Sequence, residues 1–559
     1  MSEQRSLGLG LLAALVVLLV GRTGFNVLLN QQAGEFTSAL AAHEPERFWH
    51  SMRVFGAALC AGVPIYAFYY FVRDRLGIEW RRWLTQNLLK RYFSRRAYYE
   101  LISNSEIDNP DQRLSDDVSA FTQKSLKFLL ELLSGVMTLV AFGGVLWSIS
   151  RLLVAILVAY ALLGTVLTFA VFGKPMIGLN FQQLRREADF RFGLIRVREN
   201  AEAIAFYRGE EREAEHVLER FASLYSNYKR LLKRTLGLNA FQAAYTFVTY
   251  ALPSVIIAPR IISGELEVGQ AVQAGGAFAA MLGALTVFID NFETLSSFAA
   301  GIDRLHAFSK AVEAPDARSA GSPTIEIATG HSIALEGVTL RTPGGERVLV
   351  EDVSVELVPE GGLAIIGASG SGKSSLLRAI AGLWRTGSGR ILRPELGQMM
   401  FLPQRPYMIW GTLREQLLYP NLEKKVDDAE LEAVLARVNL PDIVKRSGGF
   451  DHELDFAKVL SVGEQQRLAI ARALLAHPAF AVLDEATSAL DAENETLLYA
   501  ELRSLKTTLI SVTHHADLIQ QHGQVLEVVG DGSWRLSATQ GYVPPGSAAE
   551  VSSLSEVGQ

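Results

Sequence analysis

Six apolar stretches lie before about residue 300, roughly at 7–31, 53–72, 128–149, 152–173, 239–258 and 271–292. Each supplies about the ~20 residues that a helix needs to cross ~30 Å of hydrocarbon. A membrane domain of six helices is therefore expected in the first half of the chain. With 559 residues, 49% of them hydrophobic and 20% charged, the apolar residues are concentrated there and a second, more polar domain must follow. The first stretch follows Arg5 as a signal peptide would. No small-x-small cleavage site comes after it, and Arg22, Asn26 and the continuing apolar run favour a retained helix.

Basic residues fix the expected orientation, because Lys and Arg stay on the cytoplasmic side. Arg73, Arg75, Arg81, Arg82, Lys90, Arg91, Arg95 and Arg96 fall between the second and third stretches. The connection after the first carries Glu35, Glu44 and Glu46 against Arg47. Both chain ends are then expected on the cytoplasmic side of a multi-pass membrane protein. The outer connections at Ser148–Arg151 and Pro259–Val268 are very short, whereas the inner ones run for tens of residues rich in Arg and Glu. The second to fifth helices should thus continue far beyond the bilayer and reverse at two tips. One candidate is Asn109-Pro-Asp-Gln-Arg113, read as a helix breaker followed by turn residues; the other is the run Glu199–Glu210.

A net charge of -6 gives no clustered cationic face for a phosphate backbone, so nucleic acid is not expected as a partner. The single cysteine, Cys60, has no intrachain partner, which excludes disulfides and a cysteine metal site. The expected division is a transmembrane domain at 1–311, a linker at 312–324, an α/β domain with a largely parallel sheet at 325–539, and an unstructured Ser, Ala and Gly-rich tail at 540–559. Leu363–Ile366, Ala479–Leu483 and Thr507–Val512 read as its strands.

Chemistry is concentrated in that second domain. Gly367-Ala368-Ser369-Gly370-Ser371-Gly372-Lys373-Ser374, with Ser375 after it, follows an apolar strand and opens a helix. Glycines let successive backbone N–H groups face the phosphates of ATP, the helix N-terminus adds positive potential, Lys373 neutralises oxygens, and the Ser374 hydroxyl suits Mg²⁺. Downstream, the apolar strand Phe480-Ala-Val-Leu ends in Asp484 and Glu485. Asp484 is expected to hold Mg²⁺ and Glu485 to orient and polarise the attacking water.

Between these two lies Val459-Leu-Ser461-Val462-Gly463-Glu464-Gln-Gln466-Arg467, which resembles the signature of ABC proteins. In matching order, Gln404 resembles the Q-loop residue, Ser488-Ala-Leu-Asp491 the D-loop, and His514 the switch histidine; His515 reads as a surface neighbour. The resemblance implies an ATPase in which Gln404 also reaches the metal and Glu485, His514 and Gln404 serve hydrolysis. It further implies two nucleotide domains facing head to tail, so that Ser461, Gly463 and Asp491 of one copy complete the site holding Lys373 of the other. Val462 and Glu464 depart from the usual signature. The aromatic residue that the family stacks on adenine is absent from Leu340-Arg-Thr-Pro343, which implies loose nucleotide selectivity.

Phe401-Leu-Pro-Gln-Arg-Pro-Tyr407, Gly411-Thr-Leu-Arg-Glu-Gln-Leu-Leu-Tyr-Pro420 and Gly382-Leu-Trp384 are similar to the D subfamily of ABC transporters and its bacterial relatives. In the membrane half, Asn109–Asp117, Glu187–Arg191 and Asn200–Glu210 resemble that group's cytoplasmic-loop signatures. The resemblance implies an exporter-like membrane fold, a homodimer, and coupling helices at the tips near Asn109 and Glu202. The group includes acyl-CoA and cobalamin half-transporters and importers of peptides and corrinoids. Asn26, Asn30, Gln31, Gln270, Gln273, Asp290 and Asn291 are the candidate cavity-facing polar residues, the competing reading being bonds that join helices. No strong cationic patch is legible in the spans, which favours uptake of a polar or amphipathic peptide-like or corrinoid-like solute over an acyl-CoA. An exporter of the same fold and a nucleotide-gated channel are the alternatives.

Overall fold

A computed structural model describes residues 2–101, 110–290, 292–313, 324–343, 345–357, 361–540 and 542. The chain divides into two compact units, Met1–Pro315 and Asp316–Gln559. The tip residue Asn109, the polar residue Asn291, most of the linker and most of the tail lie outside the described residues, as does the side chain of Asp290.

The first unit is helical. Among the described residues, six helices are long and apolar enough to cross a membrane: Ser6–Ala41, Pro45–Phe93, Pro110–Ile149, Arg151–Gly173, Glu210–Ile262 and Val268–Val287. Each coincides with one of the six apolar stretches. Their exposed apolar side chains, such as Val140, Leu163 and Val255, are what lipid requires and water would not tolerate in such number. The second helix is 49 residues long and the fifth is 53. At about 1.5 Å per residue these reach roughly 70–80 Å, more than twice the hydrocarbon thickness.

The outer reversals are as tight as the sequence suggests. Ser150 alone separates the third helix from the fourth, and its side chain accepts a hydrogen bond from Leu153 N–H, capping the new helix. Arg260 donates to the carbonyl of Ile149 at 2.8 Å, fastening the fifth helix to that turn. On the inner side, Ala201–Tyr207 forms a short helix closed by Arg208 in the left-handed conformation, where the reversal near Glu202 is expected. Pro110–Arg113 differs from its reading as a turn. Pro110–Gln112 is helical and runs through a π-turn at Arg113–Asp117 into the third span. Proline lacks an N–H that a first helical turn would leave unpaired anyway, so it starts this helix. Asp117 is buried there and takes two bonds from Arg304, at 2.7 and 3.1 Å.

The second unit holds a six-stranded sheet in the spatial order Trp534–Ala538, Gln524–Val528, Leu363–Gly367, Thr508–Val512, Phe480–Asp484, Met399–Leu402. All neighbours are parallel except the first pair. A second sheet of four strands, Glu326–Thr329, Gly387–Arg393, Ala334–Arg341 and Val348–Glu356, is mostly antiparallel and was not legible as a separate layer. In the parallel sheet, Thr508–Val512 lies between Leu363–Gly367 and Phe480–Asp484, so three carboxyl ends stand side by side. Ligands of open α/β sheets bind at that edge.

Candidate nucleotide site and membrane cavities

The phosphate loop leaves the fully buried strand Leu363–Ile366 and enters the helix Lys373–Ile380. Gly367, Gly370 and Gly372 have φ of 144°, 78° and 109°, which side chains with a Cβ avoid. At Gly367 a Cβ would sit 2.1 Å from the carbonyl oxygen of Val528, so glycine is required for contact with the neighbouring strand as well. Ala368, Ser369 and Gly370 are exposed, whereas Ser371 and Lys373 are buried. Among the described residues the Ser371 hydroxyl has no hydrogen-bond partner, and Lys373 Nζ donates to the carbonyls of Gly367 and Ala368 at 2.8 and 2.9 Å. Burial lowers the Lys373 pKa, opposed by the carboxylates of Glu485 and Asp484. An ammonium turned back onto its own loop and a buried hydroxyl without a partner are groups that phosphate oxygens would satisfy.

Ser374 Oγ donates to Asp484 Oδ1 at 2.8 Å, joining the loop helix to the end of Phe480–Asp484. Glu485 has φ of 49°, an uncommon conformation for a residue with a side chain, and lies beside two other loops. Gln404 Nε2 donates to Glu485 Oε2 at 2.9 Å, and His514 Nε2 lies 3.7 Å from Glu485 Oε1. The fold thus gathers Ser374, Asp484, Glu485, Gln404 and His514, residues separated by up to 140 positions, at one sheet edge. Their hard oxygen donors fit a Mg²⁺ ion.

Ser461, Gly463 and Asp491 form a second group. Ser461 is the N-cap of the helix Val462–Ala476, in a capping box with Glu464. Glu464 is the departure from the usual signature, and here it closes that box. Arg446 beside it, helped by Ser461, holds its carboxyl at about 2. Val462, the other departure, is half-exposed and leaves the cap intact. Gly463 faces the D-loop so closely that a Cβ would lie 3.1 Å from the Ala489 carbonyl. Asp491 caps the next helix by accepting from Asn494 N–H at 2.8 Å. Among the described residues, no hydrogen bond links Ser461, Gly463 or Asp491 to the phosphate loop.

Sequence reasoning passed over two residues here. Gln466, 1% exposed, donates to the Gln404 carbonyl at 2.9 Å and accepts from Ala489 N–H at 3.0 Å, bracing the Q-loop against the D-loop. Its place inside the signature was the available signal. His515 is more than a surface neighbour: it bonds the buried Glu495, whose other oxygen takes the Thr487 hydroxyl. Nothing in the local sequence announces that link.

His522, on the chain just after, is buried and neutral. Burial pushes its imidazole down to about 4; Nδ1 donates to the Leu518 carbonyl at 2.8 Å and Nε2 faces Ser511 Oγ at 2.9 Å. The unfolded chain takes up this proton near 6.5 and the folded one near 4. The associated stability is therefore complete above pH 6.5 and is lost as pH falls toward 4, by about 3 kcal/mol. Urea unfolding midpoints should drop across that window, and His522→Gln should flatten the drop; an undiminished slope in the variant would exclude His522 as its source.

In the membrane unit, several polar candidates are already engaged between helices. Tyr66 donates to Asn26 at 2.8 Å, Asn30 to the Gln273 carbonyl at 3.0 Å, and Gln273 to the Gln31 carbonyl at 3.2 Å. Gln270 accepts from Glu267 N–H. The reading that such groups join helices holds for the side chains of Asn26, Asn30 and Gln273, whereas among the described residues Gln270 bonds only the start of its own helix. No strong cationic patch was legible in the spans, yet the structure gathers three cationic side chains. Arg22, Arg73 and Lys127, from three different helices, line one cavity of about 370 Å³.

The family model of the ABC transporter transmembrane region 2 matches residues 1–262, and that of the ABC transporter matches residues 350–488. An uncharacterized ABC transporter ATP-binding protein of Synechocystis is 45% identical across 96% of this chain and 82% of its own length. The chloroplastic ABC transporter D family member 2 of Arabidopsis thaliana is 36% identical, covering 92% of this chain and 83% of its own. The lysosomal cobalamin transporter of Homo sapiens is 33% identical, over 84% and 83%. A solved bacterial Atm1-family ABC exporter with ATP bound has the same fold, with a TM-score of 0.73 over 98% of both chains at 17% identity.

Proposed function

This chain belongs to the D family of ABC transporters as an ATP-binding half-transporter whose hydrolysis of ATP is coupled to transport, and from that premise we propose that it works as a homodimer moving an amphipathic solute across a bacterial inner membrane. The observation that carries the pairing is the division of the nucleotide site. Ser374, Asp484, Glu485, Gln404 and His514 cluster in one chain, while among the described residues no hydrogen bond ties Ser461 or Gly463 to the phosphate loop of their own chain. A second copy would supply them. An inner membrane ABC transporter ATP-binding protein of Escherichia coli, 29% identical over 90% of this chain, supports the membrane assigned, and the Arg-rich extension of the second helix supports cytoplasmic chain ends.

In this reading the loop N–H groups of Gly370, Gly372 and Lys373, together with the Lys373 ammonium, bind the β- and γ-phosphates of ATP. Ser374, Asp484 and Gln404 would hold Mg²⁺, which neutralises charge on the phosphates when bound. Glu485 accepts the proton of the attacking water, and Gln404 and His514 keep its carboxylate in place. Signature residues of the partner copy cover the γ-phosphate, so closing the pair and assembling the site are one event.

Transport is tested in proteoliposomes loaded with a panel of peptides, cobalamin and amphipathic acids. Flux that needs continuous ATP hydrolysis supports the reading, and right-side-out against inside-out vesicles give its direction. Downhill flux sustained by a non-hydrolysable nucleotide would replace it with a gated channel.

A further inference from the structure

Arg22 stands within the first apolar stretch, where an ionised side chain costs several kcal/mol unless a partner or a wet cavity receives it. Its guanidinium lies 5.0 Å from the Tyr66 ring centre and 5.1 Å from that of Tyr69. Among the described residues it has no carboxylate within ion-pair distance. The other two cations of the cavity do. Arg73 pairs with Asp74 at 2.8 Å and sits over the Tyr70 ring, and Lys127 pairs with Glu131 at 3.6 Å. Arg22 is thus the uncompensated charge of the group.

The cavity has a direction. Arg73 and Lys127 stand where the apolar stretches of the second and third helices meet their polar extensions, at the mouth. Arg22 lies further along the span. The rest of the lining includes the small apolar residues Gly135, Ala280, Gly283 and Ala284, with the hydroxyls of Ser134 and Thr138 among them. Gly283 also lines a neighbouring cavity of about 240 Å³, and a Cβ placed on it would meet nothing within 4 Å. A volume of about 370 Å³ is near the lower end of the ~300–1,000 Å³ of drug-sized ligand sites. It has room for a compact headgroup and a short length of chain, and none for a corrinoid ring.

We propose that this cavity is a cargo site for a compact anionic headgroup, a carboxylate or phosphate carried on an apolar chain, with Arg22 as its ion partner. The tyrosine rings hold the guanidinium in place and shield it from the bilayer, and the headgroup supplies the missing negative charge. The chain runs along the small residues toward Gly283. All the lining residues belong to one bundle, so a homodimer carries the site twice. This inference rests on the reading of the chain as a transporter of amphipathic solutes and narrows it to anionic ones.

The test uses full-length protein in phosphatidylcholine nanodiscs and a dodecanoate probe bearing a photoreactive diazirine near its carboxyl group. Labelling of the segment Tyr66–Arg73, read by mass spectrometry, is expected to be displaced by dodecanoate at least about tenfold more readily than by dodecanol, the value of a charge-assisted contact. Arg22→Gln should lower labelling about tenfold or more, and Arg22→Lys should retain most of it. Gly283→Leu, which fills the path of the chain without altering charge, should lower it as well. Equal displacement by the alcohol, or full labelling of the Gln variant, overturns the site. Suppression of labelling by phosphatidylglycerol in the discs would give the site to a bilayer lipid and overturn its assignment to cargo. Labelling needs no ATP turnover. A chain that labels but drives no flux refutes the transport reading and leaves the site standing, and one that pumps but does not label does the reverse.

Discussion

Glu485→Gln is expected to lower ATP turnover by roughly 10²- to 10⁴-fold, the range for losing a positioned general base, while ATP stays bound. The groups that would hold the nucleotide are untouched by the change: Lys373 against its loop carbonyls, Ser371 with its unpartnered hydroxyl, and the Ser374–Asp484 bond. An amide oxygen can still accept from Gln404, so the loop geometry persists. What is lost is the capacity to take a proton from water. Nucleotide should therefore accumulate in a closed pair, measured as ATP retained after gel filtration alongside phosphate release. Wild-type release by the variant would remove Glu485 from the role proposed for it.

A mixing experiment carries the second large effect. Lys373→Ala disables the loop, and Gly463→Asp disables the signature by setting a carboxylate toward phosphate and a side chain against Ala489 and Leu490, 3.1 and 3.3 Å away. With the two changes on separate chains, a mixed dimer keeps one intact site and about half of wild-type turnover, provided the two sites act independently. With both on the same chain and a wild-type partner, both sites are broken and turnover falls to background. Tagged mixed dimers purified by two affinity steps give the comparison. The reverse result, background turnover with the changes on separate chains and about half with both on one chain, would show that each chain completes its own site.

The pattern of what was legible follows from distance along the chain. Apolar runs, the phosphate loop and the strand ending at Asp484 and Glu485 are local signals, and the structure places all of them where they were expected. Arg22, Arg73 and Lys127 are 51 and 54 residues apart, and their meeting depends on how three helices pack, which no window of sequence contains. The same holds for His515 with Glu495, and for the second sheet of the ATPase unit. Pro110 was misread for a different reason. Proline breaks a helix when it lies inside one and begins a helix when it lies first, and the sequence around it suits either. Asn26, Asn30 and Gln273 show the converse limit: a polar group in a span must find a partner, and the partner can be another helix as well as a cargo.

The fifth helix runs unbroken for 53 residues, and along its polar part Asn227, Arg220 and Phe221 meet Gln183, Asp189 and Phe190 of the helix Lys174–Glu199. Such a rod has rotational phase as well as length. One residue added anywhere along it would lengthen it by only about 1.5 Å but turn everything beyond by about 100°. Every contact on the far side would then face the wrong way. Its exposed side chains can change one at a time, yet its residue count between the bilayer and the inner tip is fixed by every contact on its packed side, like the number of teeth on a gear.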